Sequence, residues 1–224
     1  VRKEERHQTM ITWDEIFRSG GFPLEESHQS LAWLCALFKG RRFRRICDLG
    51  CGTGRNLVPI ARDGFEAHGI DFSAEGLRRS YRRAKDAGID IELVRGDMKK
   101  IPYASASFDA LICIYSIYHG MLSDIEETVS EIYRVLRDGG LAYITFQTIH
   151  SHKYGKGREI EAHTFVQDRD IDCQHELGIL HHFSSEDEVH RIMRAFQIIK
   201  LELEEFRTDD GAKHSHWQVI AEKV

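Results

Sequence analysis

An apolar run that ends on a string of alternating glycines is the strongest constraint in this chain. In ICDLGCGTGRN, residues 46–56, Gly50, Gly52 and Gly54 stand at every second position, and Asp48 lies two residues before the first. The run ahead of them reads as a strand and the residues behind them as a helix. Glycine lets the main chain turn tightly between the two, and lets a ligand approach the backbone with no Cβ in the way. The helix start leaves backbone N–H groups free to donate.

Strand and helix alternate from residue 45 to about 147. A helix is expected over about 54–63, with Pro59 bending its first turns. FEAHGID reads as a second strand. SAEGLRRSYRRAKDAG reads as a helix, with Ser73 as N-cap and Gly88 as its stop. IELVRGD and the almost wholly apolar FDALICIYS are further strands, the latter suited to a central position covered on both faces. SDIEETVSEIYRVLRDGG carries a helical stripe and a capping box from Ser123 to Glu126. GLAYITFQ is the fifth strand. After SSEDEVHRIMRAF, a helix with a second box from Ser185 to Glu188, QIIKLELEEF and HWQVIAEK form a terminal hairpin.

The alternation predicts a doubly wound, mostly parallel α/β sheet of seven strands, with helices on both faces and the C-terminal hairpin antiparallel at one edge. Residues 1–40 form an N-terminal helical segment after a polar, mobile start, and residues 41–224 form the main domain. Within it, residues 148–183 show no periodicity and are expected to be an irregular substrate lid.

The 224 residues and a 42% apolar fraction suit one domain with a sizeable core. A net charge of −5 argues against a nucleic-acid partner. The five cysteines form no CxxC pair, which fits free thiols in the cytoplasm. No apolar run approaches the ~20 residues of a membrane span, and the N-terminal residues show no signal-peptide core.

The next strand ends in Asp71, twenty-one residues after Gly50. An acid at that offset is placed to accept hydrogen bonds from both hydroxyls of a ribose. The ligand therefore contains a nucleoside. The dinucleotide fingerprint GxGxxG is absent, because the spacing here is GxGxG. DLGCGTG, GIDFS, GDM, FDALICIYSIYH and EIYRVLRDGGLAYIT follow one another in an order that resembles the class I methyltransferases, which use S-adenosylmethionine. The resemblance runs from about Trp13 to the end of the chain. It implies that Asp48, Gly50, Cys51, Gly52 and Asn56 belong to the cofactor turn, and that Asp71 holds the ribose with Phe72 against the adenine. It further implies that Asp97 faces the adenine amino group, that Met98 packs on the ring, and that Tyr115 touches the cofactor through its main chain.

Enzymes that methylate adenine N6 or glutamine amides carry an Asn/Asp-Pro-Pro-aromatic motif where this chain has IYSIYH, residues 114–119. The sequence instead resembles the small-molecule methyltransferases of the quinone-biosynthesis and tellurite-resistance types. A sulfonium methyl needs an aligned acceptor and, for a hydroxyl or protonated amine, a base. His119 and Tyr118, just after the fourth strand, are the catalytic candidates. Trp13 is expected to lie over the cleft. Nine of the thirteen histidines lie at or beyond residue 150, and from these His181 and His182 are the substrate candidates. Cys173, His175, His181 and His182 match no standard zinc spacing, so no metal site is assigned. Lys153 and its basic neighbours read as a solvated loop. The expected partner is a small methyl acceptor, with the chain a monomer or homodimer. Two other readings stay open: an RNA methyltransferase of the same fold, and a non-catalytic accessory protein that binds S-adenosylmethionine or a metal.

Overall fold

The structure, a computed structural model, describes residues 12–20, 25–167, 176–207 and 211–224. The polar N-terminal ten residues, Cys173 and His175 lie outside the described residues. The elements run α1 (Trp13–Arg18), α2 (Leu31–Gly40), β1 (Arg45–Leu49), α3 (Leu57–Arg62), β2 (Glu66–Asp71), α4 (Ala74–Ala87), β3 (Glu92–Arg95), β4 (Phe108–Cys113), α5 (Leu122–Val135) and β5 (Leu136–Gln147). Three short strands follow: β6 (Arg158–Glu161), β7 (Thr164–Val166) and β8 (Leu180–His182). Then come α6 (Glu186–Ile192), β9 (Gln197–Arg207) and β10 (Lys213–Glu222).

The main sheet has seven strands in the order β3-β2-β1-β4-β5-β10-β9. Its first five strands pair in parallel, and β10 pairs antiparallel with both β5 and β9. The strand order reverses between β1 and β4. A crevice opens there at the carboxyl ends of the strands, and it is the usual ligand position in such sheets. The doubly wound fold and its antiparallel edge are as the alternation predicts.

The strand period of two sorts the core onto two faces. Cys47, Leu49, Leu111 and Cys113 pack with Ile125, Val129 and Ile132 of α5 and Val189 and Ile192 of α6. Ile46, Ala110 and Ile112 point the other way, against Leu31, Leu34 and Phe38 of α2 and Leu57 and Ile60 of α3. Each face is dry, so neither α5–α6 nor α2–α3 can be removed without exposing a full core layer. No helix among the described residues is long and apolar enough to cross a membrane.

Several local expectations shift. Helix α3 begins at Leu57, not 54, because residues 54–56 stay in the glycine turn. Pro59 then falls in the first turn, where its missing N–H costs no hydrogen bond. The Ser123–Glu126 box does not form. Helix α5 starts at Leu122, where the Met121 N–H donates to Asp124 Oδ2 at 3.0 Å and the Leu122 N–H to Glu161 Oε1 at 2.6 Å. Glu161 comes from β6, a partner that no local pattern displays. At α6 only half a box is made. Ser185 accepts the Glu188 N–H, but the Glu188 carboxylate turns to His182 and Arg191.

The segment 148–183 is not irregular over its described residues. Strands β6, β7 and β8 form an antiparallel three-stranded sheet. Strands of three or four residues are too short to show an alternation, so the pattern stayed invisible. The segment is also packed: Thr164, His181, His182 and Phe183 are all fully buried. Lys153 is buried as well and pairs with Glu176, so the solvated-loop reading fails there.

Candidate active site

The turn after β1 is built by its glycines and by its neighbours together. Gly50 adopts φ +75° and Gly52 φ +49°. A Cβ at Gly50 would sit 2.5 Å from Ser116 Oγ, so this glycine lets the end of β4 come close. A Cβ at Gly52 would meet the Phe17 ring at 3.3 Å. The backbone N–H groups of Gly50 and Cys51 donate to the Ile70 carbonyl at 2.8 and 3.1 Å, which ties the turn to β2.

Asp71 ends β2 beside this turn. Its Oδ2 accepts the Gly52 N–H at 2.7 Å and its Oδ1 accepts the Ser73 N–H at 2.8 Å. Burial raises its carboxyl above the usual range, and these two N–H groups oppose the rise. Each oxygen keeps a lone pair for a further donor. Ser73 also caps α4 by accepting the Gly76 N–H, as its sequence position implied.

A cleft of about 290 Å³ opens over the turn. Gly50, Cys51, Gly52, Asn56, Asp71, Phe72, Asp97, Met98, Tyr115, Trp13 and His119 all line it, so the geometry brings these sequence-derived candidates together. Phe72 is 64% exposed at the rim, with the Arg95 guanidinium 5.5 Å from its ring centre. Asn56 is turned inward, its Oδ1 accepting the His28 N–H. Tyr115 holds φ +55°, an uncommon conformation for a side chain of that size. Its N–H donates to Thr145 Oγ1 and its hydroxyl to Glu204 Oε2, both from more distant strands.

Trp13 reaches the cleft because α1 is fastened to the start of α4. Asp14 Oδ1 accepts both the Ser73 hydroxyl and the Glu75 N–H. The Trp13 ring then stands 4.7 Å from the His119 ring, edge to face. Burial, with the facing His181 second, holds the His119 imidazole well below its usual range and so uncharged. Its Nε2 is buried and makes no hydrogen bond.

Four candidates stand elsewhere. Asp48 lies beneath the turn rather than in the cleft wall, only 2% exposed. Tyr118 is buried away from the cleft, its ring beside His181 and His216, and burial pushes its hydroxyl well up. Its ring also packs 4.5 Å from that of His119, and a phenol so buried does not ionise near neutral pH. His182 has both nitrogens engaged, Nδ1 with Thr164 Oγ1 and Nε2 with Glu188, which removes it from the substrate candidates. His181 does not line the cleft but stands directly behind His119, their rings 4.7 Å apart.

The sequence reading missed Phe17, Arg55, Ser116, Lys99 and Asp124, all of which line the cleft. Phe17 had a signal, since it lies four residues after Trp13 on the same helix face. Arg55 is nearly buried and stacks over Tyr115 at 5.6 Å. The pair Lys99–Asp124, at 2.8 Å, joins residues that only the fold brings together.

Asp48 yields a test of the turn's stability. Burial foremost, and the charge of Asp71, push its carboxyl up to about 7, against the pull of Arg55. The unfolded chain ionises this group near pH ~4. The fold therefore binds one proton more between about pH 4 and 7, and the resulting stability is lost as pH rises through that window. Urea unfolding at pH 5 and pH 8 should show wild type losing roughly 2–4 kcal/mol relative to Asp48→Asn. Parallel pH curves would remove the buried acid from the account.

Comparison with known proteins agrees with this fold. Residues 46–140 match the family described as Methyltransferase domain. YqeM of Bacillus subtilis is 32% identical over 151 residues, 62% of this chain and 59% of that protein. Malonyl-[acyl-carrier protein] O-methyltransferase of Enterobacter lignolyticus is 33% identical over 122 residues, 54% of this chain and 46% of that protein. The chain thus spans less than two thirds of these curated relatives. An S-adenosylmethionine-dependent methyltransferase structure from Methanosarcina mazei superposes with a TM-score of 0.70 at 22% identity, covering 80% of this chain and 92% of that one. Magnesium protoporphyrin IX methyltransferase from Synechocystis, solved with S-adenosylmethionine bound, gives 0.62 at 14% identity, covering 88% and 79%. At such identities the two structures establish the fold.

Proposed function

We propose, from a methyltransferase domain of the class I fold that spans residues 46–140, that this chain transfers the methyl group of S-adenosylmethionine to a small molecule by in-line displacement. One observation carries the reading: a single cleft is lined by the glycine turn and Asp71 together with Trp13 and His119, whose Nε2 has no hydrogen-bond partner. Asp71 accepts from the ribose hydroxyls, Phe72 and Met98 flank the adenine, and Asp97 takes its amino group. The methyl then faces the wall formed by Trp13 and His119.

The acceptor's lone pair forms the new bond to the methyl carbon. The S–CH3 bond breaks, and its electron pair returns to sulfur as S-adenosylhomocysteine. Trp13 keeps water from the reacting pair, and the His119 ring forms the polar end of the acceptor wall. The matched relatives, which include demethylmenaquinone methyltransferases, take different acceptors, so none of those substrates is assigned to this chain. The four buried free cysteines among the described residues fit a reducing, cytoplasmic setting.

The test is release of S-adenosylhomocysteine across a panel of hydroxyl, amine, thiol and metalloid acceptors. With the best acceptor, His119→Ala should lower turnover by on the order of 100-fold or more. Its affinity for S-adenosylmethionine should stay within about twofold of wild type, as expected of a residue that meets the acceptor rather than the nucleoside. Cofactor binding without turnover on any acceptor would favour the accessory-protein reading. Unchanged turnover in the variant would take His119 out of the acceptor wall.

A further inference from the structure

Behind the acceptor wall three donor groups converge from separate parts of the chain. His119 follows β4, His181 lies on β8, and Glu176 precedes β8. One ring nitrogen from each of His119 and His181 and a Glu176 carboxylate oxygen all lie within 4.8 Å of one another. Both Nε2 atoms are buried and make no hydrogen bond. His181 Nε2 stands 3.3 Å from Glu176 Oε2, an ion-pair distance without hydrogen-bond geometry.

The outer side of each ring explains its orientation. His181 Nδ1 lies 3.3 Å from the Ile179 carbonyl. The His119 ring bonds the Ser116 carbonyl, through Nδ1 because Nε2 has no partner. A carbonyl accepts only, so Nδ1 carries the proton on both rings. Both Nε2 atoms are then left beside one another and a carboxylate. Metal-binding histidines are oriented in this way by their second nitrogen. Two orphaned buried nitrogens would otherwise be a net cost to the fold. The buried Lys153 ammonium donates to Glu176 Oε2 and fixes that carboxylate in place.

We propose that His119, His181 and Glu176 bind one divalent transition-metal ion of the zinc type on the acceptor side of the cleft. Two imidazoles and a carboxylate suit zinc or iron(II), and three protein ligands leave a coordination position open. Bonds of ~2.1 Å require donors roughly 3.4 Å apart, so the three groups close by about an ångström around the ion. Of the three ligands His119 alone also lines the cleft, so it is the link between the ion and the acceptor in this proposal.

Resting on the methyl-transfer reading, this assigns the acceptor class: a hydroxyl or thiol compound that binds the ion as its anion. Its proton leaves to solvent, its lone pair forms the bond to the methyl carbon, and the S–CH3 electrons return to sulfur. The ion lowers the acceptor's pKa and takes the place of a side-chain base.

The experiment is a Co²⁺ titration of chelator-stripped, tag-free protein, read by visible absorption and by calorimetry, followed by displacement with Zn²⁺. One equivalent should bind with the absorption of a low-coordinate site. His181→Ala, Glu176→Gln and the cleft-facing His119→Gln should each weaken it by on the order of 100-fold. The exposed His190→Ala should leave it unchanged. Thermal melts on each sample confirm folding, and three independent variants guard against the loss of one. No stoichiometric Co²⁺ in folded wild type, or equal binding by the folded variants, overturns the site. S-adenosylmethionine titration of the same samples is the separate readout. Cofactor binding without Co²⁺ rejects the metal alone, and Co²⁺ binding without cofactor rejects the methyltransferase reading alone.

Discussion

Replacing Asp71 with alanine is expected to weaken S-adenosylmethionine binding by on the order of 100- to 1000-fold. Two charge-assisted hydrogen bonds to a ribose are worth about 1.5–3 kcal/mol each, and such losses rarely add in full. The variant also strands the Gly52 and Ser73 N–H groups, which Asp71 accepts in the native turn. Part of the loss therefore comes from a loosened turn. Asp71→Asn separates the two contributions. Its amide oxygen can keep one N–H acceptor while the charge and half the accepting capacity disappear, so an intermediate affinity is expected. Calorimetry on folded protein decides: unchanged affinity in Asp71→Ala would remove the ribose contact and with it the orientation of the cofactor.

Gly52→Val should abolish measurable cofactor binding. At φ +49° a β-branched residue is strained by roughly 1–2 kcal/mol. Its Cβ would already press on Phe17 at 3.3 Å, so the added methyls must push Phe17 aside or fill the cleft. Either outcome closes the site. Gly52→Ala carries the backbone strain with only the Cβ contact. Comparison of the two in ligand-free melts and binding titrations therefore divides conformational cost from occlusion. A folded valine variant that binds like wild type would show that the ligand does not pass over this turn.

The legible part of the site was the part encoded by short-range order. Gly50, Gly52 and Asp71 follow from one strand–turn–helix–strand unit, and the β1 and β4 alternation sorts its own residues onto two faces. Trp13 could be placed only by resemblance, yet Asp14 fixes α1 to α4 by contacts that span about sixty residues of chain. Tyr118 and His182 show the limit from the other side. Each is a plausible polar residue near the right motif, and each is buried: Tyr118 among the rings of His119, His181 and His216, and His182 between Thr164 and Glu188.

The sequence by itself determined the sheet, its parallel strands and the glycine turn beside Asp71. These depend on periodicity and glycine spacing, which are local quantities. Only the tertiary structure decided what stands around His119. Strands β6–β8 are too short to carry a period, yet they fold His181 and Glu176 against His119 across more than fifty residues of chain. Which lone pairs are satisfied and which are left facing one another depends on the final packing, and no spacing along the chain records it.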